Sequence, residues 1–259
     1  MIEAINTLGR FCGRRDIETL ESDMLYRKYG ISKADVMILF GGSILAGGDL
    51  LAKAIREKIA CIYIIVGGAG HTTQTLRHQV SSEYPSIETA NLSESEIFQR
   101  YLQEVYGFQA DYLETESTNC GNNITNLLAL LKEYNIRCES IILCQDATMQ
   151  MRMDAGLRKY TGDSVKIINY ASYAATVCEG EDGLSYTEKI HGMWDVDRYI
   201  NLLMGEIPRL TDDANGYGPS GKDFIAHVDV PDKIKSSFEL LKTEFGKQVR
   251  EANPMYASN

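Results

Sequence analysis

Chemistry in this sequence concentrates where glycine, carboxylate, amide and guanidinium groups follow apolar runs. Gly41, Gly42 and Ser43 close the run Val36-Met37-Ile38-Leu39-Phe40, and Gly67, Gly68 and Gly70 close Ile62-Tyr63-Ile64-Ile65-Val66. Glycine has no Cβ, so such loops serve either as tight strand-to-helix turns or as places where backbone amides approach a phosphate, a carboxylate or a nucleoside. Two pairs at equivalent positions point to one ligand edge. Glu94, in Ser93-Glu94-Ser95-Glu96, suits helix-dipole capping and, less readily, a catalytic base. Asn119 ends Ser117-Thr118-Asn119. Asn123, one turn on, sits beside an apolar helical stripe, where an amide usually has a specific partner. Asp146 ends the run Ile141-Ile142-Leu143-Cys144-Gln145, and Arg152 follows it with a fork suited to a carboxylate or phosphate. The two read either as a structural ion pair or as part of a site. His71 is the one histidine that follows a glycine loop, which makes Asp146, Glu94 and His71 the candidate acid-base groups. Cys120 stands at a helix start that would favour a thiolate, without a nearby histidine to act as base.

Runs that are apolar at every position suit parallel strands covered on both faces. The pattern predicts strands at 36–40, 62–66, 140–144 and 165–170, and a weak one at 110–113. Between them, helical spacing appears near 49–59, through the seventies, near 94–106, from about 120 with Ile124, Leu127, Leu128 and Leu131 on one face, and near 150–160. This alternation predicts a doubly wound α/β sheet. Residues 1–30 read as an N-terminal helical segment, 31–186 as the α/β domain, and 187–259 as an extension packed on that domain. The extension carries a helix over 190–204, a turn-rich stretch Asp212 to Gly221, a short strand over 224–230 and a closing helix. His227 falls in the alternating part of that strand and reads as structural.

Composition narrows the function further. The 259 residues carry a formal net charge of -10, which argues against a general affinity for nucleic-acid backbones. No apolar run is long enough to cross a bilayer and no signal-peptide core precedes Asp16, so a soluble, cytoplasmic protein is expected. Six scattered cysteines without a Cys-x-x-Cys pair argue against a zinc cage or a disulfide framework, and no metal site is expected. Cys61 and Cys144 read as small core residues. Neither loop is Gly-x-Gly-x-x-Gly with its acidic partner, and no Walker loop is present, so a nicotinamide dehydrogenase or an NTPase is disfavoured.

Several segments carry a family likeness. Ser117-Thr118-Asn119-Cys120-Gly121, Gln145-Asp146 with Thr148-Met149-Gln150 and Arg152, Gly205-Glu206 through Pro208-Arg209-Leu210, Asp212-Asp213, Gly216-Tyr217-Gly218-Pro219, and Asp223-Phe224-Ile225 with His227-Val228-Asp229 resemble the YdcF branch of the bacterial YdcF/SanA/ElyC family. The resemblance covers nearly the whole chain. It implies a Rossmann-like three-layer α/β/α fold with a mostly parallel sheet of about five strands, and it suggests S-adenosylmethionine as the cofactor or ligand. It also implies a pocket lined or supported by Gly41, Gly42, Ser43, Gly67, Gly68, Glu94, Asn119, Asn123, Asp146 and Arg152. Met149 stands, as in the YdcF branch, where the wider family often has a histidine, which weakens any hydrolytic mechanism borrowed from those relatives. The expectation is therefore a small-molecule-binding protein. The alternatives are a hydrolase or transferase acting on a phosphate- or carboxylate-bearing substrate, and a ligand sensor or partner-binding protein that uses the Asp212 to Gly221 loop as a lid or contact surface.

Overall fold

A computed structural model describes residues 1–70, 72–181 and 183–245. Two helices, α1 (Ile2–Cys12) and α2 (Ser22–Tyr29), precede β1 (Ala34–Phe40). The chain then runs α3 (Ala46–Glu57), β2 (Ala60–Val66), α4 (Thr73–Glu83), α5 (Glu94–Tyr101) and β3 (Tyr112–Glu114). It continues with α6 (Cys120–Glu133), β4 (Ser140–Cys144), α7 (Gln150–Thr161) and β5 (Lys166–Asn169). A hairpin of β6 (Val177–Gly180) and β7 (Gly183–Tyr186) leads to α8 (Val196–Leu210) and α9 (Asp232–Phe245).

The five long-range strands form one parallel sheet in the order β3-β2-β1-β4-β5, the Rossmann-like order. Side chains alternate across it. Met37 and Leu39 of β1 enter a core with Leu51, Phe98 and Tyr101, while Val36, Ile38 and Phe40 enter another with Ile124, Leu127 and Leu157. Helices cover both faces, which is why these strands read as continuously apolar. A third core joins α1, α8 and α9 through Ile5, Leu8, Leu203, Ile207 and Leu241. No helix among the described residues is long and apolar enough to cross a membrane.

Several details differ from the sequence pattern. Residues 224–230 form no strand; they run as an irregular segment held to α7 by the Ala226 N–H donating to the Ala155 carbonyl at 2.9 Å. The helix expected over 190–204 starts later, at Val196, because the Asp195 side chain caps it by accepting from the Arg198 N–H. The β6–β7 hairpin was not anticipated, since four-residue strands of mixed polarity carry little periodicity. Cys61 is exposed near the start of β2, unlike the buried Cys144. The helix expected over 94–106 changes to a π-helical turn at Leu102–Tyr106. The altered winding brings the Tyr106 hydroxyl, with that of Tyr101, onto the Asp49 carboxylate.

Candidate functional site

The chain winds from β1 through β2 to β3 on one side of the sheet and then crosses to β4 on the other, so its direction reverses between β1 and β4. Ligands of open α/β sheets bind beyond the carboxyl ends of the strands at such a reversal. A cleft of about 590 Å³ opens there. Gly41, Gly68, Gly70, Thr72 and Glu94 form one part of it, the first turn of α6 another, and Arg152, Glu206, Arg209, Tyr217 and Phe224 a third.

Glu94 is the group around which the glycine loops are built. Ser93 caps α5 and makes a reciprocal pair with Glu96: Ser93 Oγ accepts from the Glu96 N–H, and Glu96 Oε2 from the Ser93 N–H at 2.8 Å. Glu94 is thereby released from capping and turns inward, 7% exposed. Its backbone N–H donates to the Gly68 carbonyl at 2.9 Å, and the Thr72 and Thr73 hydroxyls donate to its Oε1 at 2.8 and 2.9 Å. Its Oε2 makes no hydrogen bond within the described residues. A methyl group on Gly41 would stand 2.5 Å from that oxygen, and one on Gly67 would stand 3.1 Å from the Gly41 Cα and 3.2 Å from the Glu94 Cβ. A Cβ at either position would crowd the Glu94 side chain and the opposite loop, so glycine at both lets the two loops and the carboxylate meet without displacement. Burial pushes the Glu94 carboxyl up to about 7, against the two threonine hydroxyls and the more distant Arg77.

Four amides of these loops are spent on the fold. Gly41 N–H donates to the Val66 carbonyl at 2.6 Å, Gly67 N–H to the Glu114 carbonyl at 3.0 Å, Gly68 N–H to Ser117 Oγ at 3.1 Å and Gly70 N–H to Thr73 Oγ1 at 2.7 Å. The anion-cradling geometry read from the sequence is thus absent at these four amides, because pairing across the strand ends consumes them. At the start of α6, the Asn119 side chain caps by accepting from the Asn122 N–H at 3.0 Å. Cys120 and Asn123 line the cleft beside it. The Asn123 backbone N–H donates to the Asn119 carbonyl at 2.9 Å, whereas its side-chain amide makes no hydrogen bond within the described residues and is available to a ligand.

Arg152 is held by Glu206 rather than by Asp146. Its Nε and Nη2 donate to Glu206 Oε2 and Oε1 at 2.6 and 2.9 Å, a two-pronged pair with Glu206 5% exposed. Arg152 Nη1 carries no hydrogen bond within the described residues. Asp146 instead organises the turn after β4: its Oδ1 accepts from the Thr148 N–H, the Thr148 hydroxyl and the Tyr173 hydroxyl at 2.8, 2.7 and 2.8 Å. Burial raises its carboxyl above the ordinary range despite these donors. It lines a separate cavity of about 10 Å³ with Gly42 and Ser172, and Gln145 stands between this cavity and the cleft.

Ser43 and the start of α3 are covered by the chain itself. Trp194 Nε1 donates to Ser43 Oγ at 3.0 Å, and the Ala46 N–H donates to the His191 carbonyl at 3.1 Å. His191 is clamped from two sides, Nδ1 by Asp49 Oδ2 at 2.7 Å and Nε2 by Glu83 Oε1 at 2.9 Å. Segment 187–195 is therefore a strap across the first glycine loop. No family model matches this chain.

Of the sequence-derived residues, the cleft brings together Gly41, Gly68, Glu94, Asn119, Asn123 and Arg152. Gly67 supports Glu94 from behind, Gly42 and Asp146 face the smaller cavity, and Ser43 lies under the strap. His71 lies outside the described residues, and none of His78, His191 and His227 lines the cleft. No group of three or more metal-ligating side chains occurs among the described residues. Sequence reasoning missed Thr72, Thr73, Glu206 and Phe224. An acid on the buried face of amphipathic α8 was the available signal for Glu206; the threonines carried none.

Proposed function

We propose that the cleft binds a nucleoside-bearing small molecule, with S-adenosylmethionine the first candidate. The observation that carries this reading is the lining: one 590 Å³ cleft combines the free oxygen of Glu94, the unused Asn123 amide, the third nitrogen of Arg152 and the apolar Met149, Met153 and Phe224. Its volume suits a ligand of this size, and such sites pair apolar walls with a few placed polar groups. Glu94 accepts from ribose hydroxyls or from an ammonium. Arg152 and the start of α6 favour a carboxylate. The likeness to the YdcF branch supports the same ligand. Titration calorimetry with S-adenosylmethionine, ATP and NAD tests the reading, alongside mass spectrometry of molecules released from the purified protein. Absence of heat and of thermal shift with every adenine nucleoside refutes it.

A second reading, a hydrolase or transferase on a phosphate- or carboxylate-bearing substrate, is favoured by one observation. A carboxyl near 7 is half protonated at neutral pH, the condition under which a general acid-base works best. Under that reading Glu94→Gln abolishes turnover in a phosphoester screen, and the rate of the unmodified protein changes with pH near 7. Retained turnover in Glu94→Gln excludes it.

A further inference from the structure

The cleft has an apolar rim that the polar chemistry of its floor does not use. Six large apolar residues are left exposed among the described residues, and two of them, Tyr160 at 54% and Phe224 at 55%, both line this cleft. Phe224 is the only phenylalanine of the six. The preceding residues bring the two to one place: Lys159 of α7 pairs with Asp223 Oδ1 at 2.8 Å, and its ammonium also donates to the Asp223 carbonyl.

The loop that carries Phe224 is tightly built. The Tyr217 N–H donates to the Arg209 carbonyl at 2.9 Å, and the Tyr217 carbonyl accepts from the N–H groups of Phe224 and Ile225 at 2.8 and 3.0 Å. Asp212 ties the far end, accepting from the Ser220 N–H at 2.7 Å and meeting His227 Nδ1 at 2.6 Å. The winding is so close that a methyl group on Gly216 would lie 1.7 Å from the Thr211 carbonyl oxygen. The Tyr217 ring braces Phe224 edge-on, with centroids 5.3 Å apart at 75°, and the Arg209 and Lys222 cations stand over the Tyr217 ring at 5.9 and 5.2 Å.

A rigid loop that holds an aromatic ring half in water, at the mouth of a cleft, is pre-organised for a flat partner. We propose that Phe224, with Tyr160, is the stacking platform for the base of the ligand, and that it makes the site selective for molecules bearing a planar heterocycle. A phosphate or an aliphatic carboxylate gains nothing from such a surface, whereas every nucleobase has a face to stack on it. This rests on the nucleoside reading of the cleft. It assigns the loop over 212–224 a fixed binding surface rather than a moving lid.

The test is calorimetry with S-adenosylmethionine, adenosine and methionine against the unmodified protein, Phe224→Ala, Phe224→Leu and Phe224→Trp. Phe224→Leu keeps an apolar group without a ring face, and Phe224→Trp enlarges the face. Stacking on one ring corresponds to a loss of roughly fivefold to 150-fold in affinity when the ring is removed. The expected result is that loss for S-adenosylmethionine and adenosine in the Ala and Leu variants. Retention in the Trp variant, and no change for any binding of methionine, complete the pattern. Unchanged adenosine affinity in folded Phe224→Ala and Phe224→Leu overturns the platform alone. If the unmodified protein binds neither nucleoside, both the platform and the reading beneath it fall.

Discussion

Replacing Glu94 by Gln makes the protein more stable above neutral pH. The carboxyl is raised from 4.5 to about 7 by burial in the glycine cradle, which corresponds to about 3 kcal/mol at about 1.36 kcal/mol per pH unit. The folded chain holds this proton more tightly than the unfolded chain. Stability therefore falls as pH rises from 4.5 toward 7, and the full penalty is present above 7. Glutamine presents an amide oxygen to the Thr72 and Thr73 hydroxyls and never ionises. Urea unfolding of both proteins between pH 5 and pH 8.5 reads the difference as a gap in midpoint at constant slope. The expected gap is about 1–3 kcal/mol at the alkaline end, because the amide N–H₂ offsets part of the gain, and it narrows steadily toward pH 5. A variant no more stable than its parent at pH 8.5, or a gap independent of pH, refutes the claim that burial of this carboxylate strains the fold. A destabilising group retained at the centre of a cleft is the pattern of a functional residue.

Gly41→Ala forces a methyl group to within 2.5 Å of Glu94 Oε2 and 3.3 Å of the Gly67 Cα; a loss of about 1–3 kcal/mol by urea unfolding is expected, with weaker nucleoside binding. Glu206→Ala leaves the Arg152 guanidinium buried without its two-pronged acceptor, which costs about 3 kcal/mol or more in the same assay; under 1 kcal/mol would show the pair to be solvated. At His191, burial works against the charged form, but Asp49 and then Glu83 outweigh it and raise the imidazole above its ordinary 6.5. The stability contributed by protonated His191 within the strap is thus complete below pH 6.5 and fades as pH rises through the higher folded value. Hydrogen exchange over 187–195 should quicken, beyond its intrinsic pH dependence, in alkali, and His191→Gln should abolish that extra change.

The sheet was legible because each position in 36–40 and 63–66 is buried on one face or the other, with Ile62 half-buried, so composition alone betrayed the strands. The weak signal at 110–113 reflects an edge strand of three residues, Tyr112–Glu114, with little to bury. At the site, local pattern favoured helix capping for Glu94 over its place among the candidate acid-base groups. Ser93 and Glu96 satisfy the helix end themselves, and whether the residue between them turns inward depends on Gly41 and Gly67, far away in sequence. The Asp146–Arg152 pairing was the economical local guess. Arg152 found Glu206, 54 residues on, because α8 packs against α7. Spacing within one helix start cannot report a partner from another layer.

The third core has a consequence for synthesis. The apolar face of α1, with Ile5 and Leu8, is covered by helices α8 and α9, which lie at the other end of the chain. During translation at about 5–20 residues per second, that face waits on the order of ten seconds or longer for its cover. The parallel sheet can assemble within that interval, but the first helix made is among the last to be seated. A nascent chain stalled before α8 would hold a sheet covered on both faces and an uncovered amphipathic helix, the species a chaperone would meet.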